Sequence, residues 1–180
     1  FDRSDDFVLT GSFTGGGTLT HAGSGLLTLS FKGAPSVGLL EIEGGSRALV
    51  TGHTGGKARN DGELTFKSPY DDFYWAGDIS GTGSVIQAGA GHLTLAGETT
   101  YTGTTMINSG SLEVRRGLSG DVRVNAGGTF GAGTLHPDGF VPRIGGNLYN
   151  AGRVVASQGD IIIGLGTVVA GDYFVGGNYV

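Results

Sequence analysis

The sequence repeats a tight-turn motif, Asn-x-Gly, and after each copy apolar and polar residues alternate over a short run. Asparagine and glycine both tolerate the left-handed backbone region, so the motif has a physical reason to turn the chain. Alternation with a period of two is typical of a strand that buries one side. We therefore predict short strands, each starting from a tight turn. The four motifs pair Asn60 with Gly62, Asn108 with Gly110, Asn125 with Gly127, and Asn150 with Gly152.

Such strands can be joined as antiparallel hairpins or as successive coils of a parallel solenoid. Two-residue hairpins favour Asn-Gly or Asp-Gly, and the chain has only Asp61-Gly62 and Asp138-Gly139, with no Asn-Gly. Residues 11–30 and 77–96 align at an offset of 66, with nine of 20 positions identical. We interpret this offset as three coils of about 22 residues. Each coil buries apolar residues only against its neighbours, so about seven or eight stacked coils are expected.

Composition agrees with a turn-rich β fold. Glycine supplies 38 of the 180 residues, and each glycine inside a helix costs about 1 kcal/mol relative to alanine. Only four prolines are present, which excludes a collagen triple helix. Apolar residues make up 38% and charged residues 15%, the opposite of the balance in disordered chains. We predict an all-β, right-handed, single-stranded parallel β-helix in which residues 1–180 form one segment.

Charge and hydropathy exclude several classes of protein. The net charge is −5 and the basic residues are scattered, apart from Arg115-Arg116, whereas nucleic-acid binding needs a basic stripe with interleaved aromatics. No apolar run approaches the length of a membrane-spanning helix, about 20 residues, so we expect no membrane insertion by this segment. The absence of cysteine suits a protein that crosses an oxidising compartment. Because the chain starts at Phe1 without a signal sequence, we interpret it as a piece of a longer protein.

Four glycine-containing motifs follow one another in residues 77–114. They are Ile-Ser-Gly-Thr-Gly at 79–83, Gly-Ala-Gly-His-Leu-Thr-Leu-Ala-Gly at 89–97, Tyr-Thr-Gly-Thr-Thr at 101–105 and Gly-Ser-Leu-Glu-Val at 110–114. With these motifs, residues 77–114 resemble the passenger-associated transport repeat of bacterial autotransporters. Residues 11–30 match only the first half of that repeat, because 31–35 depart where Tyr-Thr-Gly would come. The tail, 171–180, is similar to the last coils that precede the outer-membrane barrel of such proteins.

The resemblance implies a position and a role. It places the segment at the C-terminal end of a passenger, with residues 120–180 as the autochaperone-like coils that fold first and template the others. The implied partners are the remainder of the passenger and the outer-membrane barrel of the same chain. The implied location is the cell surface or the medium, reached by export through the outer membrane.

A structural role in folding and export is therefore the function we expect. A solenoid also needs a nucleus on physical grounds, because a coil is stable only beside another coil. One alternative is a surface adhesion module that binds a host glycan or a host protein. A polysaccharide-processing β-helix enzyme is a third hypothesis.

Motifs for catalysis, metals or cofactors are not evident. The Gly-x-Ser-x-Gly motif of a nucleophile elbow does not occur, and no glycine-rich run completes a dinucleotide or phosphate fingerprint. The histidines lack the short spacings of metal ligands, and we expect them at the surface or in turns. We predict no catalytic residue, no metal, no cofactor and no enzyme activity. The histidines are His21, His53, His92 and His136.

Acidic residues are the candidates for sugar hydrolysis. That chemistry needs two carboxyl groups in one site, whereas adjacent residues of a strand point to opposite faces. We expect solvated turn acids, with a calcium site of Asp71, Asp72 and Asp78 as the alternative. The acids concerned are Asp5, Asp6, Asp71, Asp72 and Asp78.

An aromatic cluster contains the single tryptophan. Since large aromatic side chains dominate core energetics, we expect the cluster to cap the apolar core, with Phe66 and Phe130 also facing inward. The alternative is an exposed patch that stacks on a sugar or a partner. The cluster consists of Tyr70, Phe73, Tyr74 and Trp75.

Overall fold

The computed structural model describes most of the chain as stacked strands. The described residues are 1–11, 15–30, 36–52, 55–67, 72–132, 143–156, 162–163, 168–169 and 172–175. Of the residues singled out above, His53, Tyr70, Asp71, His136 and the pair Asp138-Gly139 lie outside this set, as does most of 157–180.

The described residues form strands and turns and no helix. In chain order the strands are β1 (Phe7–Thr10), β2 (Thr18–His21), β3 (Leu26–Ser30), β4 (Ser36–Ile42), β5 (Arg47–Val50), β6 (Gly55–Asn60), β7 (Glu63–Phe66), β8 (Phe73–Trp75), β9 (Ile79–Ser80), β10 (Ser84–Gln87), β11 (His92–Leu95), β12 (Thr105–Val114), β13 (Gly117–Leu118), β14 (Val122–Ala132), β15 (Arg143–Ile144), β16 (Leu148–Asn150), β17 (Arg153–Ala156), β18 (Ile162–Ile163), β19 (Val168–Val169) and β20 (Asp172–Val175).

These strands stack as three faces of one solenoid. The first face runs in the order β1-β3-β5-β7-β10-β12-β14-β16-β19. The second face holds β8, β11, the C-terminal parts of β12 and β14, and then β17 and β20. The third face holds β2-β4-β6-β9 and then β13-β15-β18, with a bridge from Ile79 to Thr99 after β9.

Every pairing among the described strands is parallel. The prediction of an all-β parallel β-helix is therefore confirmed. The described part of the chain contains no apolar helix of membrane-spanning length.

The core follows from the alternation within each strand. In β7, Leu64 and Phe66 are fully buried, whereas Glu63 and Thr65 keep partial exposure on the outer side. Burial of one leucine or phenylalanine side chain stabilises the fold by about 1.5–3 kcal/mol. The inward positions of the first face form a registered row in which no residue is more than 1% exposed: Leu27, Ala48, Leu64, Val85, Thr105, Val122 and Leu148.

Coil length varies along the stack. Hydrogen-bonded residues of adjacent coils are 17 positions apart at Asn108 and Asn125, and 26 positions apart at Asp121 and Asn147. The interpretation of the 66-residue offset as three equal coils is wrong. Leu27 of the first copy lies in β3 on the first face, whereas its aligned residue, Leu93, lies in β11 on the second. The sequence repeat is thus a strand–turn–strand unit that takes different positions around the coil.

Candidate functional site

The Tyr-Thr-Gly-Thr-Thr motif closes on itself inside the core. The hydroxyl of Tyr101 lies 2.7 Å from Oγ1 of Thr105, and neither residue is exposed to solvent. Burial raises the pKa of the Tyr101 hydroxyl, because the charged form would lose its hydration. The two hydroxyls therefore satisfy each other where no water reaches them.

Leucine and valine residues of the same repeat form the core on the second face. Leu93 and Leu95 of β11 pair with Leu112 and Val114 of β12, and none is more than 1% exposed. The spacing of two residues places both members of each strand on the inner side. The Leu-Thr-Leu and Leu-Glu-Val parts of the repeat are thus one packed layer shared by two coils.

Glycines of the repeat lie where neighbouring coils approach most closely. A Cβ on Gly103 would lie 2.2 Å from the carbonyl oxygen of Gly83, in the preceding coil. Gly110 has a φ of 64°, in the left-handed region, and a Cβ there would lie 2.3 Å from the oxygen of Gly91. A side chain at either position would force the coils apart.

Two of the four Asn-x-Gly motifs bend the chain through buried asparagines. Asn60 accepts the N–H of Gly62 at 3.2 Å, and its Nδ2 donates to the Ser84 oxygen of the next coil at 2.8 Å. Asn150 accepts the N–H of Gly152 at 3.0 Å in the same way. Both asparagines are at most 4% exposed, so their turns are fixed by hydrogen bonds within the corner.

The other two motifs stack on one another at an outer corner. Asn125 donates from Nδ2 to Oδ1 of Asn108 at 2.6 Å. This corner joins the first and second faces, where the β12–β14 register shifts between Ile107 and Ser109. A Cβ on Gly127 would lie 3.1 Å from the Asn108 oxygen, so the turn packs tightly against the previous one.

The aromatic cluster divides between the core and the surface. Phe73 and Trp75 are buried at 3% and 2% exposure, with ring centroids 5.5 and 5.4 Å from that of Phe66. Tyr74 points outward and is 47% exposed. Tyr70 lies outside the described residues. Phe130 is also buried, at 1%.

A polar network on the outer side of the second face contacts Tyr74 through Arg115. The guanidinium of Arg115 lies 5.4 Å from the Tyr74 ring centroid, and its Nε lies 3.8 Å from Glu113 Oε1. Glu113 Oε2 lies 3.6 Å from Nε2 of His92, whose Nδ1 lies 2.7 Å from Oγ of Ser111. Sequence reasoning missed this network, because the pairing of His92 with Ser111 comes from coil register. The spacing of Ser111 and Glu113 on one strand face was the available signal.

Serine, imidazole and carboxylate in line invite comparison with a catalytic triad, but the surroundings differ. Acyl transfer needs N–H donors aimed at the developing oxyanion. The N–H of Ser111 already donates to Gly91 at 3.1 Å, and that of Arg115 donates to Leu95 at 3.0 Å. Sheet pairing thus uses these two amides.

Other candidate histidines and acids make contacts within the fold. His21 is 2% exposed and ends β2, with ring nitrogens 3.0 and 3.3 Å from the carbonyl oxygens of Gly25 and Phe1. The expectation of a surface or turn position is therefore wrong for His21. Asp5 pairs with Arg3 at 2.6 Å, and this hydrogen bond lowers the pKa of Asp5. Across the described residues no cluster of three or more histidine, aspartate or glutamate side chains is placed to hold a metal ion.

Comparison with known proteins agrees with the geometry of the repeat. Residues 85–114 match the family model of the passenger-associated transport repeat. The "Neisserial autotransporter lipoprotein NalP" of Neisseria meningitidis serogroup B is 41% identical over 70 residues, which cover 36% of this chain and 6% of that protein. The chain therefore carries a passenger-associated transport repeat and is similar to autotransporter sequences over about a third of its length.

A second relative is similar to a comparable part of the chain. The "Extracellular serine protease" of Serratia marcescens is 39% identical over 62 residues, or 34% of this chain and 6% of that protein. The chain thus spans about 6% of the length of these curated relatives. No solved structure matches it. The names of the two relatives describe an autotransporter lipoprotein and an extracellular protease.

Proposed function

We propose that the chain is an autotransporter passenger segment that nucleates β-helix folding and supports export of the passenger through the outer membrane. The observation that carries the proposal is the pairing of β12 with β14. These strands have ten and eleven residues, and their nine register pairs run across two faces of the solenoid. A pair that sets two faces at once presents an almost complete coil edge to the next coil.

The energetics of a solenoid support this role. A coil gains its buried contacts only from neighbours, so the first stable coil pair limits folding. The β12–β14 pair buries large apolar side chains on both faces, including Ile107, Leu112, Val124 and Phe130, none above 1% exposure. Later coils then add by local pairing, and folding outside the membrane opposes return of the chain. The partners in this proposal are the rest of the passenger and the barrel of the same chain.

Unfolding of the 180-residue chain tests whether it is a self-sufficient nucleus. We expect one cooperative transition in guanidinium, coincident by far-UV circular dichroism and by fluorescence of Trp75, the single tryptophan. A chain that is unfolded without its neighbouring coils would overturn the nucleation proposal.

Export is tested in the full-length autotransporter. Deletion of 120–180 removes β14 and the coils beyond it, so we expect loss of surface display and of protease-resistant passenger. The matched control deletes residues 1–67, which leaves the β12–β14 pair in place. Equal display after both deletions would contradict a special role for the C-terminal coils.

The outer network that contacts Tyr74 supports a second candidate function, adhesion to a host glycan. The exposed Tyr74 ring lies against the Arg115 guanidinium, which is linked to a carboxylate, an imidazole and a hydroxyl on the same outer face. These groups offer stacking and hydrogen bonds to a sugar. Glycan-array binding that is lost in Tyr74→Ala but kept in Tyr149→Ala would favour adhesion. Tyr149 is the matched control, because its ring also lies under an arginine, Arg123, at 4.9 Å.

We propose that the segment itself has no enzyme activity. Its Ser111–His92–Glu113 network has backbone amides already used in sheet pairing. The protease activity in the name of the Serratia relative belongs to that protein, of which this chain matches 6%. Hydrolysis of a peptide or ester substrate by the 180-residue chain, abolished in Ser111→Ala, would overturn this proposal.

A further inference from the structure

Four aspartates bind the next coil through its backbone. Each lies just before a strand or bridged residue, and its Oδ1 accepts the N–H of a residue one coil later. The sequence separations are 20, 21, 20 and 26 residues. The pairs are Asp6 with Leu26 at 2.8 Å, Asp61 with Thr82 at 3.0 Å, Asp78 with Glu98 at 3.1 Å, and Asp121 with Asn147 at 2.8 Å.

The donor residues occupy matching positions in the next coil. Asp78 comes immediately before Ile79, and Glu98 comes immediately before Thr99, the bridge partner of Ile79. Asp121 comes immediately before Val122, which is paired with Leu148, the residue after Asn147. Each carboxylate therefore binds an N–H in the same register as the strand pairing that begins just after it.

Neighbouring groups hold these carboxylates in place. Asp61 also accepts the Thr82 hydroxyl at 3.0 Å and pairs with Arg59 at 3.1 Å. Asp78 pairs with Lys57 at 3.2 Å. Asp121 also accepts Nδ2 of Asn147 at 3.2 Å.

The ladder alone does not distinguish the native register from a slip of two residues. Such a slip returns every side chain to its original face, and many inner positions hold aliphatic side chains, such as Leu27, Ala48, Leu64 and Val85. A fixed number of residues per coil cannot set the register either, because coil length varies. The coil bound by Asp121 is the longest of the four. A carboxylate that binds one particular N–H distinguishes the native register from its slipped neighbours.

We propose, as an extension of the folding role above, that Asp6, Asp61, Asp78 and Asp121 set the register in which each new coil joins the stack. They are positioning residues, and the chemistry is recognition of one particular N–H at the start of a strand by a carboxylate. Asparagine should replace aspartate in part, because it keeps an acceptor oxygen, and alanine should not.

Disulfide trapping reads the register directly, because the chain contains no cysteine. Arg123→Cys with Tyr149→Cys reports the native register, since these positions are paired and paired strands lie within disulfide reach. Arg123→Cys with Ala151→Cys reports a slip of two residues. We expect Asp121→Ala to lower the native crosslink and raise the slipped one, and Asp121→Asn to restore the native pattern. Native crosslinks alone in Asp121→Ala would overturn the proposal.

Refolding kinetics supply a second measurement that a merely stabilising contact would not move. Asp61→Ala and Asp78→Ala should refold at least about threefold more slowly, with unfolding rates little changed. The control is Asp2→Ala, since Asp2 is exposed and makes no side-chain hydrogen bond within the described residues. A change confined to unfolding rates would overturn the register role. If the wild-type chain does not fold alone, nucleation fails, and the same crosslinks are then read in the full-length autotransporter.

Discussion

The Tyr101 hydroxyl and Oγ1 of Thr105 face each other at 2.7 Å inside a core that excludes water from both. Both residues belong to the Tyr-Thr-Gly-Thr-Thr part of the transport repeat. Their separation of four residues carries the chain around a corner, with Gly103 pressed against the preceding coil between them. The motif therefore combines a hydroxyl pair inside the core with a close approach between coils.

Removal of one hydroxyl from this pair should destabilise the fold. Tyr101→Phe leaves Thr105 without its partner in the core, and we expect a loss of about 1–2 kcal/mol in the free energy of unfolding. Guanidinium unfolding of Tyr101→Phe, Thr105→Val and the double variant measures the coupling. The double variant should lose less than the sum of the single variants, and strict additivity would contradict the pair.

Trp75 and Tyr74 are adjacent but should respond very differently to truncation. Trp75→Ala removes a buried indole packed on Phe66, and we expect a loss of about 3–5 kcal/mol. Tyr74→Ala removes an exposed ring and its contact with Arg115, a loss of about 1 kcal/mol at most. Guanidinium unfolding followed by circular dichroism measures the loss in the free energy of unfolding for both variants. Equal losses would show that the outward ring is as deeply packed as the inward one.

Close approach at Gly103 should make even a methyl group disruptive. Gly103→Ala would place Cβ 2.2 Å from the Gly83 oxygen, and we expect a loss of about 2 kcal/mol or more as the coils separate. Gly16→Ala is the control, because no atom lies within 4 Å of its Cβ position. Thermal unfolding should show a marked decrease in Tm for the first variant and little change for the second.

Acid should weaken the stack through Asp61 and Asp78. Hydrogen bonds from Thr82 lower the pKa of Asp61, and the Glu98 N–H, followed by Lys57, lowers that of Asp78. Because the folded pKa is depressed, this stabilisation is present above the unfolded value of about 3.9 and is lost as the pH falls through the folded pKa. Denaturant midpoints between pH 6 and pH 2.5 should decrease, and Asp61→Asn with Asp78→Asn should flatten that decrease. An unchanged slope would exclude these carboxylates as its source.

The fold could be predicted from the sequence because its signals are local. Asn-x-Gly turns and period-two alternation determine which side of a strand is buried, as Leu64 and Phe66 show. Coil length could not be predicted, because it depends on how many residues each corner takes. The offset between Leu27 and Leu93 therefore suggested equal coils where the structure has different faces.

Contacts between coils could not be predicted either, because they depend on the register of neighbouring coils. His21 finds two carbonyl oxygens in a buried corner, and His92 meets Ser111 of the next coil. Neither partner is identifiable without the register. The aromatic cluster was read as a unit, yet alternation within β8 sends Phe73 and Trp75 inward and Tyr74 outward.

Because the coils differ in length, the height of the solenoid does not follow from its number of residues. The step that pairs Asn108 with Asn125 takes 17 residues and the step that pairs Asp121 with Asn147 takes 26, yet each advances the stack by one strand spacing, about 4.8 Å. Residues inserted at a corner therefore widen the solenoid and leave its height unchanged. Natural variation in corner length can alter what projects sideways from the solenoid while the length of the solenoid stays constant.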